Sequence, residues 1–110
     1  MQMNEYQTLS SGTAVYPGKG ETWGLAYCAL GLGEAGEVQG KVKKILRDNG
    51  GVVSPEVKLA IAKELGDLLW YVAQTASEID FRLGDVARMN LAKLADRADR
   101  GVLGGSGDDR

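Results

Sequence analysis

The stretch that decides the fold is LGLGEAGEVQGKVKK, residues 30–44. It places Glu34 and Glu37 three residues apart among four glycines, while its apolar and charged residues recur with helical spacing. Glycine in a helix interior costs about 1 kcal/mol relative to alanine. A helix that accepts four glycines beside two acids therefore needs a structural or functional reason.

Three of these glycines share one side of the predicted helix. At about 100° per residue, Gly33, Gly36 and Gly40 fall within about 60° of one another. A stripe without side chains allows another helix or a ligand to approach the backbone closely. We interpret the stripe in this way, and a locally weak helix is the alternative.

The composition limits the classes of protein that this chain can represent. Its 110 residues suit one domain, with 44% apolar residues, 25% charged residues and a net charge of −2. Without a basic excess, neither nucleic acid nor an anionic membrane is favoured as a partner. No apolar run reaches the roughly 18 residues of a transmembrane helix, and the N-terminus lacks the pattern of a signal peptide.

Cysteine and histidine usage narrows the chemistry further. The single Cys28 cannot form an internal disulfide, so we expect a reducing, cytoplasmic location. The chain contains no histidine. This excludes histidine acid–base catalysis and the common zinc and iron sites that use imidazole ligands.

The periodicity predicts an all-α bundle of about four helices. Turn residues separate four helical segments, which we place at residues 4–12, 22–47, 55–79 and 83–100. Ser54 precedes Pro55 and an acid, an arrangement typical of a helix start. Residues 101–110 form a glycine-rich tail, for which we consider both disorder and a cover over a bound ligand. Such a short bundle leaves apolar faces open, so we expect a homodimer or a homotetramer.

A second acid pair repeats the spacing of the first. Glu64 and Asp67 are three residues apart and, like Glu34 and Glu37, border the face expected to pack inward. Two carboxylates about 6 Å apart repel by roughly 3 kcal/mol at an effective dielectric constant of about 20. A hard divalent cation, Mg²⁺ or Mn²⁺, is the best way to neutralise four such groups. Open carboxylate sites of this kind accept substrate phosphates, which indicates phosphoryl chemistry.

The last predicted helix carries groups that suit a polyphosphate. Asn90, Lys93 and Arg97 share one face, and arginine holds phosphate through two parallel hydrogen bonds. A solvated basic face is the alternative. Lys44 and Lys41 lie on the side of Glu37, where they reach either a phosphate or a neighbouring acid.

Two aromatic residues are candidates for contact with the substrate. Tyr71 shares the side of Glu64 and Asp67, and its hydroxyl group is expected close to them. Trp23 opens the second predicted helix and is a candidate for stacking on a base. An aromatic residue on an apolar helix face more often belongs to the core.

The combination of these motifs resembles the MazG family of nucleotide pyrophosphohydrolases. The similarity rests on EAGEV (34–38), KK (43–44), ELGDLLWY (64–71) and NLAKLxxR (90–97), and it extends from about residue 6 to the end. The resemblance implies an all-α fold, a dimer or tetramer, and Mg²⁺-dependent cleavage of nucleoside triphosphates into monophosphate and pyrophosphate. It also implies a domain over residues 1–100, followed by the tail.

The resemblance assigns roles to the four acids. Glu34, Glu37, Glu64 and Asp67 become metal ligands, and Glu34 or Glu37 is expected to orient the attacking water. The remaining substrate contacts are expected from the residues Trp23, Lys44, Tyr71, Asn90, Lys93 and Arg97. We therefore predict a nucleoside triphosphate pyrophosphohydrolase that acts on ribo- or deoxyribonucleotides.

Two other functions remain alternatives. Phosphoribosyl-ATP hydrolysis belongs to the same superfamily, and a non-catalytic helical interaction module would retain the shape without turnover. A carboxylate-bridged di-iron bundle is excluded, because it needs Glu-x-x-His motifs that this chain lacks.

Overall fold

Helices make up the regular structure, and no strand is present. The computed structural model describes all 110 residues. Five α-helices follow one another along the chain: α1 (Met3–Ser10), α2 (Thr22–Gly31), α3 (Ala35–Asp48), α4 (Pro55–Glu78) and α5 (Leu83–Asp99). Short 3₁₀ turns occupy Ser11–Thr13 and Leu32–Glu34. The predicted all-α class is confirmed.

The lengths of the helices bear on membrane insertion as well. None of the five is both long enough and apolar enough to cross a bilayer.

The prediction of one continuous helix over residues 22–47 is wrong. The 3₁₀ turn at Leu32–Glu34 divides this segment into α2 and α3. Gly31 and Gly33 flank or occupy the turn, and their low helix propensity favours a break there. Leu30, predicted to lie on the inward side, is 82% exposed. The side of α2 that packs inward carries Gly24, Cys28 and Gly31 instead, and Leu30 lies off that side.

Helix α4 is the central element, because α1, α2, α3 and α5 all pack against it. It begins as predicted, with the Ser54 hydroxyl group accepting the N–H of Val57 at 3.3 Å. It ends where Asp80 adopts a left-handed conformation with φ of 61°. The N–H of Phe81 then donates to the carbonyl oxygen of Ala76 at 2.9 Å, which closes the last turn and leads directly into α5.

The buried core is small and consists of two clusters along α4. Trp70 packs against the first cluster, formed by Ala14, Tyr16 and Cys28. The second cluster is formed by Ala73, Ala76 and Leu83. Cys28 is fully buried, and burial raises the pKa of its thiol, as expected for a small apolar residue in a core.

Side chains of α1 supply the N-terminal cap that α5 lacks in its own sequence. The residue before α5 makes no side-chain capping bond. Instead, Oε1 of the buried Gln7 accepts the N–H of Leu83 at 2.8 Å, and Oδ1 of Asn4 accepts the N–H of Gly84 at 2.8 Å. The Gln7 amide also donates to the carbonyl oxygen of Phe81 at 2.9 Å. These bonds tie α1 to the α4–α5 connection and fix the start of α5.

The glycine stripe does not face another helix of the chain. A β-carbon added to Gly33, Gly36 or Gly40 would meet no atom within 4 Å. Close approach occurs instead at Gly31, where an added β-carbon would overlap the ring of Tyr71. The close approach to the backbone that we predicted for the stripe therefore occurs, within the chain, at Gly31, which is not part of the stripe.

This difference predicts opposite effects of alanine at two glycines. Gly31→Ala forces the Tyr71 ring away and is expected to lower the free energy of unfolding by about 1–3 kcal/mol. Gly40→Ala, the control, is expected to raise it by up to about 1 kcal/mol, because alanine favours the helix. Urea unfolding followed by circular dichroism measures both. Equal effects would contradict the Tyr71 contact, and a destabilising Gly40→Ala would indicate that the stripe packs against a second copy.

Candidate active site

Three carboxylates from two separate segments converge beside α4. Glu34, Glu64 and Asp67 each offer an oxygen atom, and these atoms all lie within 4.8 Å of one another. Glu34 ends the 3₁₀ turn, whereas the other two residues lie about one turn apart on α4. Glu34 and Glu64 are partly buried and Asp67 is exposed. The group is therefore open to solvent on one side.

The helix break brings Glu34 to the other two acids. Both α2 and the 3₁₀ turn pack against α4, and the close contact between Gly31 and Tyr71 holds the end of α2 near that helix. The turn then directs Glu34 toward α4 before α3 begins. The spacing of three between Glu64 and Asp67 places both on the side that Glu34 approaches.

The donor set of this group fits a hard divalent cation. Three carboxylate oxygens without histidine or cysteine are the ligands that Mg²⁺ or Mn²⁺ prefers. Only one cation of the chain forms an ion pair within the group: Lys41 Nζ lies 3.8 Å from Glu64 Oε1. One lysine cannot balance three carboxylates, so a bound cation would relieve the remaining repulsion.

Glu37, the fourth acid predicted for the site, lies outside this group of three. It is exposed in the first turn of α3, three residues after Glu34. Lys41 does not pair with it, because the lysine reaches across to α4 instead. Lys44 is also exposed and lines, with Lys41, a groove between α3 and the start of α4.

Tyr71 lies on α4 about one turn after Asp67 and next to the end of α2. Burial raises the pKa of its hydroxyl group, with further contributions from Tyr27 and from the charge of Glu34. The centroids of the Tyr71 and Tyr27 rings are 6.5 Å apart. Tyr71 thus connects the carboxylate group to the aromatic residues of α2.

An aromatic groove lies at the start of α2. It has a volume of about 600 Å³ and is lined by Pro17, Gly18, Glu21, Trp23, Ala26, Tyr27 and Leu30. The side chain of Trp23 is 77% exposed. Because Tyr27 lines this groove and lies beside Tyr71, the groove and the carboxylates occupy neighbouring parts of the surface.

Sequence reasoning missed Glu78, which attaches the loop before α2 to the end of α4. Its carboxylate accepts the hydroxyl group of Tyr16 and the N–H of Gly20, the latter at 3.0 Å and 3.1 Å. Burial, followed by this hydrogen bond to Glu78, raises the pKa of Tyr16. No spacing in the sequence links residues 16 and 78, since the contact depends on how α4 packs.

Lys93 and Arg97 converge on a shared anion, the carboxylate of Asp108. Lys93 Nζ lies 2.7 Å from Asp108 Oδ1, and Arg97 Nη2 lies 3.3 Å from the same oxygen. Lys93, followed by Arg97, holds the pKa of Asp108 below its usual range. Asn90 and Lys93 line an adjacent groove. Sequence reasoning placed the two cations on one face but did not identify Asp108 as their partner.

Comparisons with known proteins identify the family of this chain. Residues 25–102 match the MazG nucleotide pyrophosphohydrolase domain, so the chain belongs to that family. The chain is similar to the "Gene 37 protein" of Mycobacterium phage L5, with 51% identity over 114 residues that cover 100% of both chains. No solved structure matches the chain. Family membership supports nucleotide pyrophosphohydrolase activity in general, and the family is generally metal-dependent.

The carboxylate group predicts a stability change that depends on a cation. In EDTA, Asp67→Asn is expected to raise the melting temperature, because it relieves repulsion among the three acids. The same variant is expected to lose most of the increase that MnCl₂ produces in the wild type. Differential scanning fluorimetry measures both effects. Glu56→Gln is the control, because it removes the same charge from the same helix. An equal increase of the melting temperature with Mn²⁺ in the two variants would contradict the assignment of Asp67 to a cation site.

Proposed function

We propose that this protein hydrolyses nucleoside triphosphates, ribo or deoxyribo, to a nucleoside monophosphate and pyrophosphate, with Mg²⁺ as the natural cation and Mn²⁺ as a substitute. The observation that carries the proposal is the convergence of Glu34, Glu64 and Asp67 in a chain of the MazG family. A non-catalytic module would have no need to keep three repelling carboxylates together.

The acids of the proposed site have two roles at the reacting phosphate: they bind the cation and accept a proton. Glu34, Glu64 and Asp67 hold the cation, and Glu37 is the fourth candidate ligand. A bound divalent cation neutralises phosphate charge, polarises the phosphoryl oxygen and makes water more acidic. A carboxylate of Glu37 or Glu34 accepts the proton of the attacking water. The exposed position of Glu37 supports this role, since its carboxylate is not committed to the group of three.

The cations of α5 hold the departing part of the substrate. Lys93 and Arg97 bind the β- and γ-phosphates, and Asn90 donates from its amide group. The pair already binds one carboxylate, that of Asp108, which supports its ability to hold an anion. Lys44 supplies a further positive charge from α3.

The aromatic groove receives the base. Trp23 offers a largely exposed ring for stacking. Tyr71, which lies beside Tyr27 and is influenced by the charge of Glu34, contacts the substrate through its hydroxyl group. The groove lies next to the acids through Tyr27, which supports one continuous nucleotide site. A homodimer or homotetramer is part of this proposal, since large apolar side chains such as Leu30 and Leu46 remain exposed in the single chain.

We infer attack at the α-phosphorus from the two kinds of charged group that the proposed site contains. With α attack, the acids act at the α-phosphate, and Lys93 and Arg97 hold pyrophosphate, which departs as one unit. With γ attack, the departing diphosphate would still carry the nucleoside, and the chain has no glycine-rich loop ending in GK[ST] to hold it. Attack at the α-phosphorus uses both charged parts of the site.

Removal of single carboxylates tests the catalytic assignment. Glu37→Gln and Asp67→Asn are each expected to lower kcat/KM by about 100-fold or more, because they remove a proton acceptor or a cation ligand. Pyrophosphate release from the eight common nucleoside triphosphates with Mg²⁺ measures the rate. Glu56→Gln is the control with the same loss of charge on α4, and full activity in both site variants would refute the assignment.

Isotope labelling tests the bond that is cleaved. Hydrolysis in ¹⁸O-labelled water is expected to place the label in the nucleoside monophosphate, detected by mass spectrometry. Label in free orthophosphate, with nucleoside diphosphate as the second product, would overturn attack at the α-phosphorus.

A further inference from the structure

The C-terminal tail folds back over the last turns of α5. Gly101 adopts a left-handed conformation with φ of 69°, a conformation that favours glycine. The N–H of Val102 then donates to the carbonyl oxygen of Arg97 at 2.8 Å. This hydrogen bond ends the helix and reverses the chain direction, so the following residues lie against α5.

The last residue of the chain holds the tail in a closed loop. The guanidinium group of Arg110 donates to four backbone carbonyl oxygens of the tail, those of Val102, Leu103, Gly104 and Gly107. The backbone oxygen of Arg110 accepts a hydrogen bond of 2.6 Å from Arg100 Nη2. Both ends of the loop are thus attached near the end of α5, and the loop carries Asp108 back to the helix.

Asp108 occupies the cation pair of α5. Lys93 Nζ and Arg97 Nη2 both bind its Oδ1, and Arg97 also donates to its backbone oxygen. The Arg97 side chain is only 7% exposed, and every hydrogen bond that its side chain makes goes to Asp108. A buried guanidinium group needs such a partner, so the tail satisfies Arg97 in the free protein.

We propose that the tail is an autoinhibitory element, in which the Asp108 carboxylate takes the place of a substrate phosphate on Lys93 and Arg97 until the polyphosphate displaces it. This inference rests on the proposed function, which assigns the same two cations to the β- and γ-phosphates. A phosphate offers three oxygens and more negative charge than one carboxylate, so it is the stronger ligand for the pair.

The competition between Asp108 and a phosphate for Lys93 and Arg97 depends on the covalent attachment of Asp108 to the same chain. The Asp108 side chain is 78% exposed and that of Lys93 is 38% exposed, so the ion pair between these two contributes little by itself. Because a short loop attaches the carboxylate to α5, its effective concentration at the pair is in the millimolar range, as is typical of short flexible tethers. A weak tethered carboxylate therefore competes with a diffusing polyphosphate and raises the concentration that is needed to occupy the site.

Binding of inorganic pyrophosphate to the 110-residue protein tests the inference. Isothermal titration calorimetry is expected to show a dissociation constant about three- to tenfold lower for Asp108→Asn than for the wild type. Asp109→Asn is the matched control, since it removes the same charge from a neighbouring residue that makes no ion pair, and its constant is expected to be unchanged. Equal constants for the two variants, weaker binding by Asp108→Asn, or no binding by any of the proteins would overturn the inference.

A second measurement uses the unmodified protein. In ¹H–¹⁵N spectra of the wild type, pyrophosphate is expected to move the amide signals of Gly104, Gly105 and Gly107 toward values of an unstructured chain. Amide signals that stay in place while pyrophosphate binds would refute displacement of the tail. Nucleotide turnover is assayed separately. If Asp108→Asn binds pyrophosphate more tightly but the protein hydrolyses no nucleotide, the proposed activity is refuted and this inference stands. If the protein hydrolyses nucleotides but Asp108→Asn binds pyrophosphate as the wild type does, this inference is refuted and the proposed activity stands.

Discussion

The contact between the ring of Tyr71 and the backbone of Gly31 is the constraint on which the candidate site depends. It allows the end of α2 to approach α4 more closely than any residue with a β-carbon would permit. The 3₁₀ turn follows at once and delivers Glu34 to Glu64 and Asp67. A helix packing distance thereby determines whether the three carboxylates lie together or remain separate surface charges.

The two charged parts of the site are built in different ways. The carboxylates come together because α4 carries two of them and the turn before α3 supplies the third. The cations Lys93 and Arg97 lie on α5, whose first turn is capped by side chains of α1, among them Gln7. The first helix therefore contributes no residue to the proposed chemistry, but it fixes the start of the helix that carries the cations.

The acid group and the basic pair each carry more charge than their partners within the chain neutralise. The acid group has only Lys41 as an internal partner, whereas the basic pair has the single carboxylate of Asp108. A nucleoside triphosphate with a divalent cation would supply what each part lacks: positive charge for the acids and negative charge for the basic residues. The excess charge of each cluster therefore supports the proposed function.

The sequence by itself determined the helical class, the family and most helix ends, because periodicity, the Ser54 cap and short motifs with spacings of three or four are local properties. It did not determine the break at Leu32–Glu34, since helical periodicity continues through that turn. Only the tertiary structure grouped Glu34 with Glu64 and Asp67, without Glu37, and placed Asp108 on the basic pair. Both outcomes depend on packing distances and on a chain reversal after α5, which side-chain spacing along one segment does not encode.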